Sequence, residues 1–301
     1  AFQALKINKS RTILTMLGII IRVTSVILLV SIGNGLKKYI TDQLESLGGD
    51  SLFIIPGEFE IGTGGGGSGG MPGAGISASK FTFDHINDLK AEAKSLQTVM
   101  AYIENNGTLK YKGKTRITQV AGVGPEYPKV RDQKTTAGAF FSASQYNSAK
   151  RVAVLGKTVA DKLFGLENPV GKRLTISEQQ YTVLGILEAK GAFGGIDLDN
   201  QVFIPATTAL RQFDMEYIQS LWVQAQDQQS IPEAITEIKK ILGRTLKEDE
   251  FSVLDTKSIL NTISQILGVL TAALGGIAAI SLVVGGVGIM NIMLVSVTER
   301  T

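Results

Sequence analysis

Two long segments of the chain carry almost no charge, and they limit its fold more than any other feature. Residues 258–298 are 41 consecutive positions without a charged side chain, and between Arg11 and Lys37 the only charged residue is Arg22. A helix of about 20 apolar residues crosses a hydrocarbon core of about 30 Å. The two segments therefore predict a membrane protein with transmembrane helices at residues 12–33 and 266–297.

The first segment has an alternative interpretation as a secretory signal peptide, because Lys6, Lys9 and Arg11 precede it. Its apolar run is too long for the hydrophobic region of a signal peptide, and no small-residue cleavage site follows, so we favour a membrane anchor. Arg22 lies near the middle of this span, where a charge is normally paired or exposed to water. A tolerated variant or a sequence error is favoured over a residue of a polar pathway.

The second segment is rich in small residues, which let helices approach closely in lipid. We predict helix–helix contacts at Gly275, Gly276, Gly285, Gly286 and Gly288. Two helices cannot bury the whole of this surface, so partner helices are expected.

The charges between the spans and at the ends indicate an orientation and exclude some partners. Basic residues before the first span slightly outnumber those just after it, which predicts cytoplasmic ends and an extracytoplasmic middle. Residues 34–298 carry 25 basic and 26 acidic side chains, so no basic footprint for nucleic acid is present. The chain has no cysteine, which excludes disulfides and thiol chemistry.

The middle of the chain predicts an α+β domain of two lobes. Short apolar or alternating runs predict strands at 51–55, 99–103, 108–111, 115–120, 151–155, 173–176, 180–187, 201–204, 220–225 and 251–254. Helical spacing predicts helices at 83–93, 157–164 and 231–242. The glycine-rich residues 57–75 predict a flexible loop without a phosphate-binding pattern. The expected organisation is a cytoplasmic segment 1–11, a span 12–33, a helical stalk 34–50, the domain 51–254, a second stalk 255–265, the span 266–297 and a cytoplasmic segment 298–301.

Residues with catalytic or metal-binding chemistry are sparse. His85 is the only histidine and follows Asp84 at a helix start, which predicts a surface or capping role. The carboxylates of the middle have no metal-loop spacing; they include Asp161, Asp197, Asp199 and Asp214. Residues 165–172 resemble a phosphate loop but lack the Walker A spacing. The sequence therefore predicts a protein that is not an enzyme, with no cofactor or metal site of its own.

Several runs of residues together form a recognisable pattern. They are residues 8–21, 30–36, 47–52, 152–156, 163–165, 168–172 and 202–205, and the closing run Gly285-Gly286-Val287-Gly288-Ile289-Met290-Asn291 that continues to Thr301. The chain resembles the permease of MacB-type ABC transporters, within the FtsX-like permease superfamily. The family usually has glycine where Arg22 stands, and its permeases continue beyond the Thr-Glu-Arg-Thr run into two more helices. We therefore expect the chain to be a C-terminally truncated fragment.

The resemblance implies a permease of a bacterial cytoplasmic (inner) membrane exporter that works as a homodimer in membrane lipid. Its partners would be an ABC ATPase subunit, fused or separate, which supplies the energy of ATP, and a membrane-fusion adaptor protein. Thr298, Glu299, Arg300 and Thr301 would begin the segment that couples to the ATPase. Peptides, antibiotics or toxins would be the substrates. Two alternatives are an FtsX-like signalling protein that activates a cell-wall hydrolase, and a two-helix sensor.

Overall fold

The structure is a computed structural model, and it describes residues 49–57, 78–193 and 196–298, with residues 17, 20, 21, 24, 27, 28, 30–36 and 38. Its strands are β1 (Ser51–Pro56), β2 (Leu96–Tyr111), β3 (Lys114–Val123), β4 (Thr135–Gly138), β5 (Val152–Leu155), β6 (Arg173–Ile176), β7 (Gln179–Leu187), β8 (Ala192–Phe193), β9 (Ile196–Asp197), β10 (Gln201–Pro205), β11 (Ser220–Ala225) and β12 (Phe251–Asp255). Its helices are α1 (Phe83–Glu92), α2 (Tyr127–Val130), α3 (Ala143–Asn147), α4 (Lys157–Phe164), α5 (Ala206–Gln212), α6 (Ile231–Leu242) and α7 (Thr256–Thr298), with a short 3-10 turn at Glu248–Glu250.

One sheet of 10 strands organises the described part of the middle domain, in the order β12-β1-β11-β2-β3-β10-β5-β7-β4 with β6 beside β2 and β7. Most neighbours are antiparallel, but β10 is parallel to β3 and β5 is parallel to β7. The longest strand, β2, has 16 residues and joins both halves of the sheet. The two expected lobes therefore share one sheet, and Gln43–Ser258 forms a single compact unit.

The two faces of the sheet are covered differently, as the alternation along each strand requires. On β11, the side chains of Leu221 and Val223 belong to the main core and are fully buried, whereas Trp222 lies on the opposite face of the sheet and is half-buried. Helices α1, α4, α5 and α6 supply the main core on the first face. A smaller cluster around Tyr127 and Phe203, from α2 and β10, covers part of the second face.

Most sequence-predicted elements of this domain are confirmed, and the bounds of α4 and β6 agree with the prediction residue by residue. The separation of 99–103 from 108–111 is wrong, because both belong to β2. Asn106 and Gly107 do not turn the chain there; they pair with Gln119 and Thr118 of β3. The short elements β4, α2, α3 and α5 lack a periodic run long enough to predict them.

A second unit comprises Ala1–Asp42 and Ile259–Thr301. Every described residue from 17 to 38 is helical, and a Cβ built on Gly33 would lie 3.4 Å from Thr271 Oγ1 of α7. The helix α7 has 43 residues and therefore extends about 64 Å, roughly twice a hydrocarbon core. Within the described residues, one helix is long and apolar enough to cross a membrane, over Thr256–Ile277.

Several predictions fall outside the described residues. They concern the cytoplasmic segment 1–11, the charge at Arg22, most of the stalk at 34–50, the glycine-rich loop from residue 58 onward, and the end residues Glu299, Arg300 and Thr301.

Candidate functional site

The helix α7 begins directly after β12, so the sheet and the long helix share one covalent junction. Asp255 is the last residue of β12 and is 9% exposed, and its Oδ1 accepts the backbone N–H of Ser258 at 3.1 Å. An aspartate one position before a helix that accepts the third helical N–H is an N-cap. The next residue, Thr256, is buried, and its hydroxyl donates to the carbonyl oxygen of Ser51 at 3.4 Å.

The other connection of the domain enters at the same sheet edge. Leu52 of β1 pairs with Asp255 of β12, so the first strand and the last strand are neighbours. Asp50 holds the entry against β11, because its carbonyl oxygen accepts the N–H of Ala225 and its carboxylate accepts from Gln224 Nε2, at 2.9 Å each. The chain therefore enters and leaves the domain at the same edge of the sheet.

The second face of the sheet carries a packed aromatic cluster next to this edge. Trp222 stacks on Tyr102 with ring centroids 4.1 Å apart and an interplanar angle of 9°, and it meets Phe53 edge-on at 5.4 Å. The Arg131 guanidinium carbon lies 5.3 Å from the Trp222 ring centroid, within the range of a cation–π contact. These contacts join β1, β11, β2 and the end of α2.

A chain of polar side chains continues across the same face. The Tyr102 hydroxyl donates to Glu104 at 2.7 Å, Gln119 donates to Glu104, and Gln201 donates to Gln119. Burial raises the pKa of Tyr102 far above its usual range, and the neighbouring Glu104 carboxylate adds to this shift. Tyr102 therefore stays a neutral hydrogen-bond donor and has no acid–base role near neutral pH.

His85 has the predicted capping role but is not a surface residue. It lies at the third position of α1, where its Nδ1 accepts the Thr82 N–H at 3.1 Å, and it is only 8% exposed. Its Nε2 lies 2.9 Å from the Thr245 hydroxyl. Burial lowers the pKa of His85, against the opposing effect of Asp88 and Asp84.

Two of the four aspartates singled out in the sequence are in contact, since Asp197 Oδ1 accepts the backbone N–H of Asp199 at 3.0 Å. Asp199 is buried and accepts the backbone N–H groups of Lys190 and Gly191 at 2.8 Å each. Asp197 accepts from Thr158 at 3.2 Å, and Asp161 pairs with Lys157. Asp214 has a backbone φ of 50° after α5. In the ranges that the structure covers, no group of three or more histidine, cysteine or acidic residues could hold a metal ion.

The loop at residues 165–172 connects α4 to β6. Gly165 and Gly171 have φ angles of 66° and 81°, so both occupy the left-handed region that favours glycine. Gly165 donates to the carbonyl of Asp161 at the end of α4, and Gly171 donates to that of Val183. These glycines terminate a helix and form a turn, consistent with the failed Walker A spacing.

The predicted packing glycines lie within α7. A Cβ built on Gly275, Gly276 or Gly286 would meet no heavy atom within 4 Å in the described part of the chain. Gly285 is half-buried, and the surroundings of Gly288 lie outside the described part. Thr298 is the last residue of α7. Both the packing role and the coupling role stay predictions.

A scan against protein-family models matches residues 12–241 to the MacB-like periplasmic core domain. The chain belongs to this family. The MacB-like match includes every strand of the sheet except β12, together with the predicted first span. The matched residues thus correspond to the periplasmic part of MacB-like permeases.

Curated MacB proteins align with the whole chain. The macrolide export ATP-binding/permease protein MacB of Bdellovibrio bacteriovorus is 37% identical over 310 aligned positions, covering 100% of this chain and 46% of that protein. The protein of the same name from Marinobacter nauticus is 36% identical, covering 100% of this chain and 45% of that protein. The chain thus spans about half the length of the curated relatives it matches.

Solved structures support the same MacB-like fold. The periplasmic region of MacB from Actinobacillus actinomycetemcomitans superposes with a TM-score of 0.60 at 19% identity, over 74% of this chain and 97% of that one. The extracellular domain of the noncanonic ABC-type transporter YknZ from Gram-positive bacteria gives a TM-score of 0.54 at 20% identity, over 68% of this chain and 100% of that one. The domain therefore has the α+β periplasmic fold of MacB-like permeases.

Two features of this MacB-like domain were not found in the sequence. The first is the cap at Asp255, although an aspartate directly before a long apolar run is an N-cap signal. The second is the contact between Arg131 and Trp222, which are far apart in the sequence and carry no local signal. Neither feature supplies a nucleophile or a proton-transfer pair.

Proposed function

We propose that the chain is the permease part of an ABC-type exporter, in which a cytoplasmic ATPase moves the extracytoplasmic domain mechanically to expel substrates. The observation that carries the proposal is the full-chain similarity to MacB proteins, whose name describes a macrolide export ATP-binding/permease protein. Macrolide-like antibiotics, peptides or toxins are the proposed substrates, and an adaptor protein is the proposed partner outside the membrane.

The geometry at the junction supports mechanical transmission. The helix α7 is continuous over 43 residues, and its first turn is fixed to β12 by Asp255 and to β1 by Thr256. A displacement of this helix would act on the edge of the sheet to which its first turn is bonded. We propose that Thr298 and the three residues after it receive the motion from the ATPase, which binds the ATP.

The proposed topology places both spans in the inner membrane, with the domain on the far side. The apolar side chains of Ile277, Ile280 and Val283 on α7 are 62%, 67% and 65% exposed, as expected for a helix that faces lipid or another helix. A dimer of complete permeases in the membrane would use the glycine-rich part of this helix.

The FtsX-like signalling alternative is not favoured. The curated relatives above carry a name for export, and their 36–37% identity extends over the whole chain, both predicted spans included. A signalling protein would need a cell-wall hydrolase as its partner, for which the similarities give no support.

The test is export by the complete transporter in cells that lack their own macrolide efflux. The informative variant is Asn261→Pro. Asn261 is exposed in the predicted stalk, and a proline in the interior of a helix destabilises that helix by about 3 kcal/mol. Asn261→Ala is the matched control, since alanine preserves the helix. We expect the proline variant to lose macrolide resistance while its ATPase still hydrolyses ATP, and the alanine variant to keep it.

Two results would contradict the proposal. Resistance that is unchanged by Asn261→Pro, with native Trp222 fluorescence in both variants, would exclude transmission through α7. The second result is an absence of resistance. Export would be excluded if cells with the wild-type permease, the ATPase and the adaptor are no more resistant to macrolides, peptides or toxins than cells that lack these proteins.

A further inference from the structure

A cluster of basic side chains surrounds the turn between β2 and β3. The strand β2 pairs with β3 on one side and with β6 on the other, as shown by the partners of Lys110, which are Thr115 and Thr175. Six basic residues lie at this turn and at the start of the adjoining strand, and we name them the basic hairpin: Lys110, Lys112, Lys114, Arg116, Lys172 and Arg173. The pairs Lys110–Thr115 and Leu109–Arg116 place Lys110 on one face of the sheet and Arg116, together with Lys114, on the other face. All of them are exposed except Arg116, which is half-buried.

One carboxylate neutralises only part of this charge. Glu167 binds Lys112 at 2.9 Å, Lys172 at 3.3 Å and the Tyr111 hydroxyl at 3.0 Å. The hydrogen bonds from Lys112 and Tyr111 lower the pKa of Glu167 to about 2, so this carboxylate is ionised at all physiological pH values. The stable charge of Glu167 fixes two of the cations in position.

The remaining cations have no acidic partner in the described part of the chain. Lys110, Lys114 and Arg173 form no ion pair there, and Arg116 donates to the neutral amide oxygen of Asn200 at 3.2 Å. Surface lysines usually alternate with carboxylates, as Lys157 does with Asp161 in this protein. The basic hairpin therefore presents an uncompensated positive surface.

Exposed apolar side chains lie beside these charges. Ile117 on β3 is 71% exposed, and Leu166, next to Glu167, is 108% exposed. The Tyr111 ring packs on Phe164 with centroids 4.1 Å apart, so the turn end of the hairpin is packed against the end of α4. The hairpin thus carries positive charge on both of its faces with exposed apolar side chains nearby, a composition found in protein interfaces.

The basic hairpin lies at the far end of the domain from its two chain connections. Asp255 pairs with Leu52, Leu52 pairs with Val223, and Val223 pairs with Val99 of β2. The cap residue and Val99 therefore lie at the same height in the sheet. Lys112 lies 13 residues further along the chain, which corresponds to about 40 Å along the strand direction.

We propose that the basic hairpin is the docking surface for an acidic surface of an extracytoplasmic protein partner. The inference rests on the proposed function, and it adds the chemistry by which the partner is recognised. A protein is favoured over a membrane surface because Lys112, Gly113 and Lys114 form the turn without an aromatic or large apolar side chain to insert. Ile117 lies exposed on the same sheet face as Lys110, where a folded partner can cover it.

The first test measures binding of fluorescent poly-L-glutamate to the chain in nanodiscs of zwitterionic lipid at low salt. The test variant combines Lys110→Glu, Lys114→Glu and Arg173→Glu, which are exposed residues without ion pairs in the described part of the chain. We expect the dissociation constant to rise at least tenfold.

The matched control variant makes the same change of charge elsewhere on the domain. It combines Lys94→Glu, Lys129→Glu and Lys134→Glu, which are also exposed. Its dissociation constant should change less than threefold. Trp222 fluorescence checks that both variants keep the fold.

Equal losses in both variants, or no loss in either, would overturn the proposal, because binding would then follow net charge alone. Binding to phosphatidylglycerol vesicles that is stronger than binding to poly-L-glutamate, and that is lost only in the hairpin variant, would also overturn it in favour of a lipid. These outcomes do not depend on transport, so they stay measurable if export fails.

The second test uses export by the complete transporter in cells. The hairpin variant should reduce export at least tenfold, and a substitution of an acidic residue by a basic one in the partner protein should restore it. Export at the wild-type level by the hairpin variant would overturn the docking role. No export by the wild type would contradict the proposed function and leave the binding result standing.

Discussion

Replacing Asp255 by alanine removes the side-chain cap of α7, and it should lower the free energy of unfolding of the domain by about 1 kcal/mol. The lost contact is the hydrogen bond from the Ser258 N–H to the Asp255 carboxylate. Ser258 is exposed, so water can satisfy the freed N–H, and the loss stays near that of an ordinary cap. A domain of this size should then melt about 2–4 °C lower.

The assay is a urea titration of the chain in detergent micelles, followed by the fluorescence of Trp222. This residue is the only tryptophan of the chain. It lies in β11, which is adjacent to β1, and β1 separates β11 from β12. The control is Asp255→Asn, which keeps an oxygen acceptor and loses only the favourable charge at the helix N-terminus.

The ratio of the stability losses in the asparagine and alanine variants decides between the cap and the charge. We expect the asparagine variant to lose less than half of the stability that the alanine variant loses. Equal losses would mean that charge, and not the cap, holds the junction. An unchanged stability in the alanine variant would refute the assignment of the cap.

Three further predictions concern pH, assembly and topology. Burial lowers the pKa of His85, so the domain should be fully stable above about pH 6.5 and lose stability as pH falls toward the lowered value; His85→Gln should remove this dependence in urea titrations. Gly285→Leu with Gly286→Leu should weaken dimerisation of the complete permease at least tenfold in cross-linking measurements, whereas Val283→Leu should not, and equal dimer yields in both would contradict the packing role. Leu166→Cys in this cysteine-free chain should react with an impermeant thiol reagent on intact cells, and labelling only after lysis would reject the topology.

Local signals were sufficient for many elements of the fold. The bounds of α4 could be predicted because Gly156 and Gly165 flank an amphipathic run, and Gly165 indeed has the φ of a C-cap. The strand β2 was divided wrongly because Asn105, Asn106 and Gly107 have the composition of a turn, whereas pairing with β3 keeps them extended. Long-range pairing overrides local preference there.

The features of the candidate site were less predictable because they depend on contacts between distant residues. The position of Asp255 beside the first strand depends on its pairing with Leu52, about 200 positions earlier in the chain. The basic hairpin needs the register that brings β6 beside β2, and nothing near Lys110 in the sequence indicates that Thr175 is its neighbour. The glycines predicted to pack helices come from the composition of the second span alone, and their role stays a prediction.

The adjacency of β1 and β12 gives the domain a narrow base. Directly paired residues of antiparallel strands have Cα atoms about 4.5–5.5 Å apart, so the chain leaves the domain, after Asp255, next to where it enters, before Leu52. A module whose ends nearly meet can be inserted into a host chain without separating the host's two attachment points. The domain is thus a portable insert, and chimeric permeases that exchange it at residues 51 and 255 need no linker.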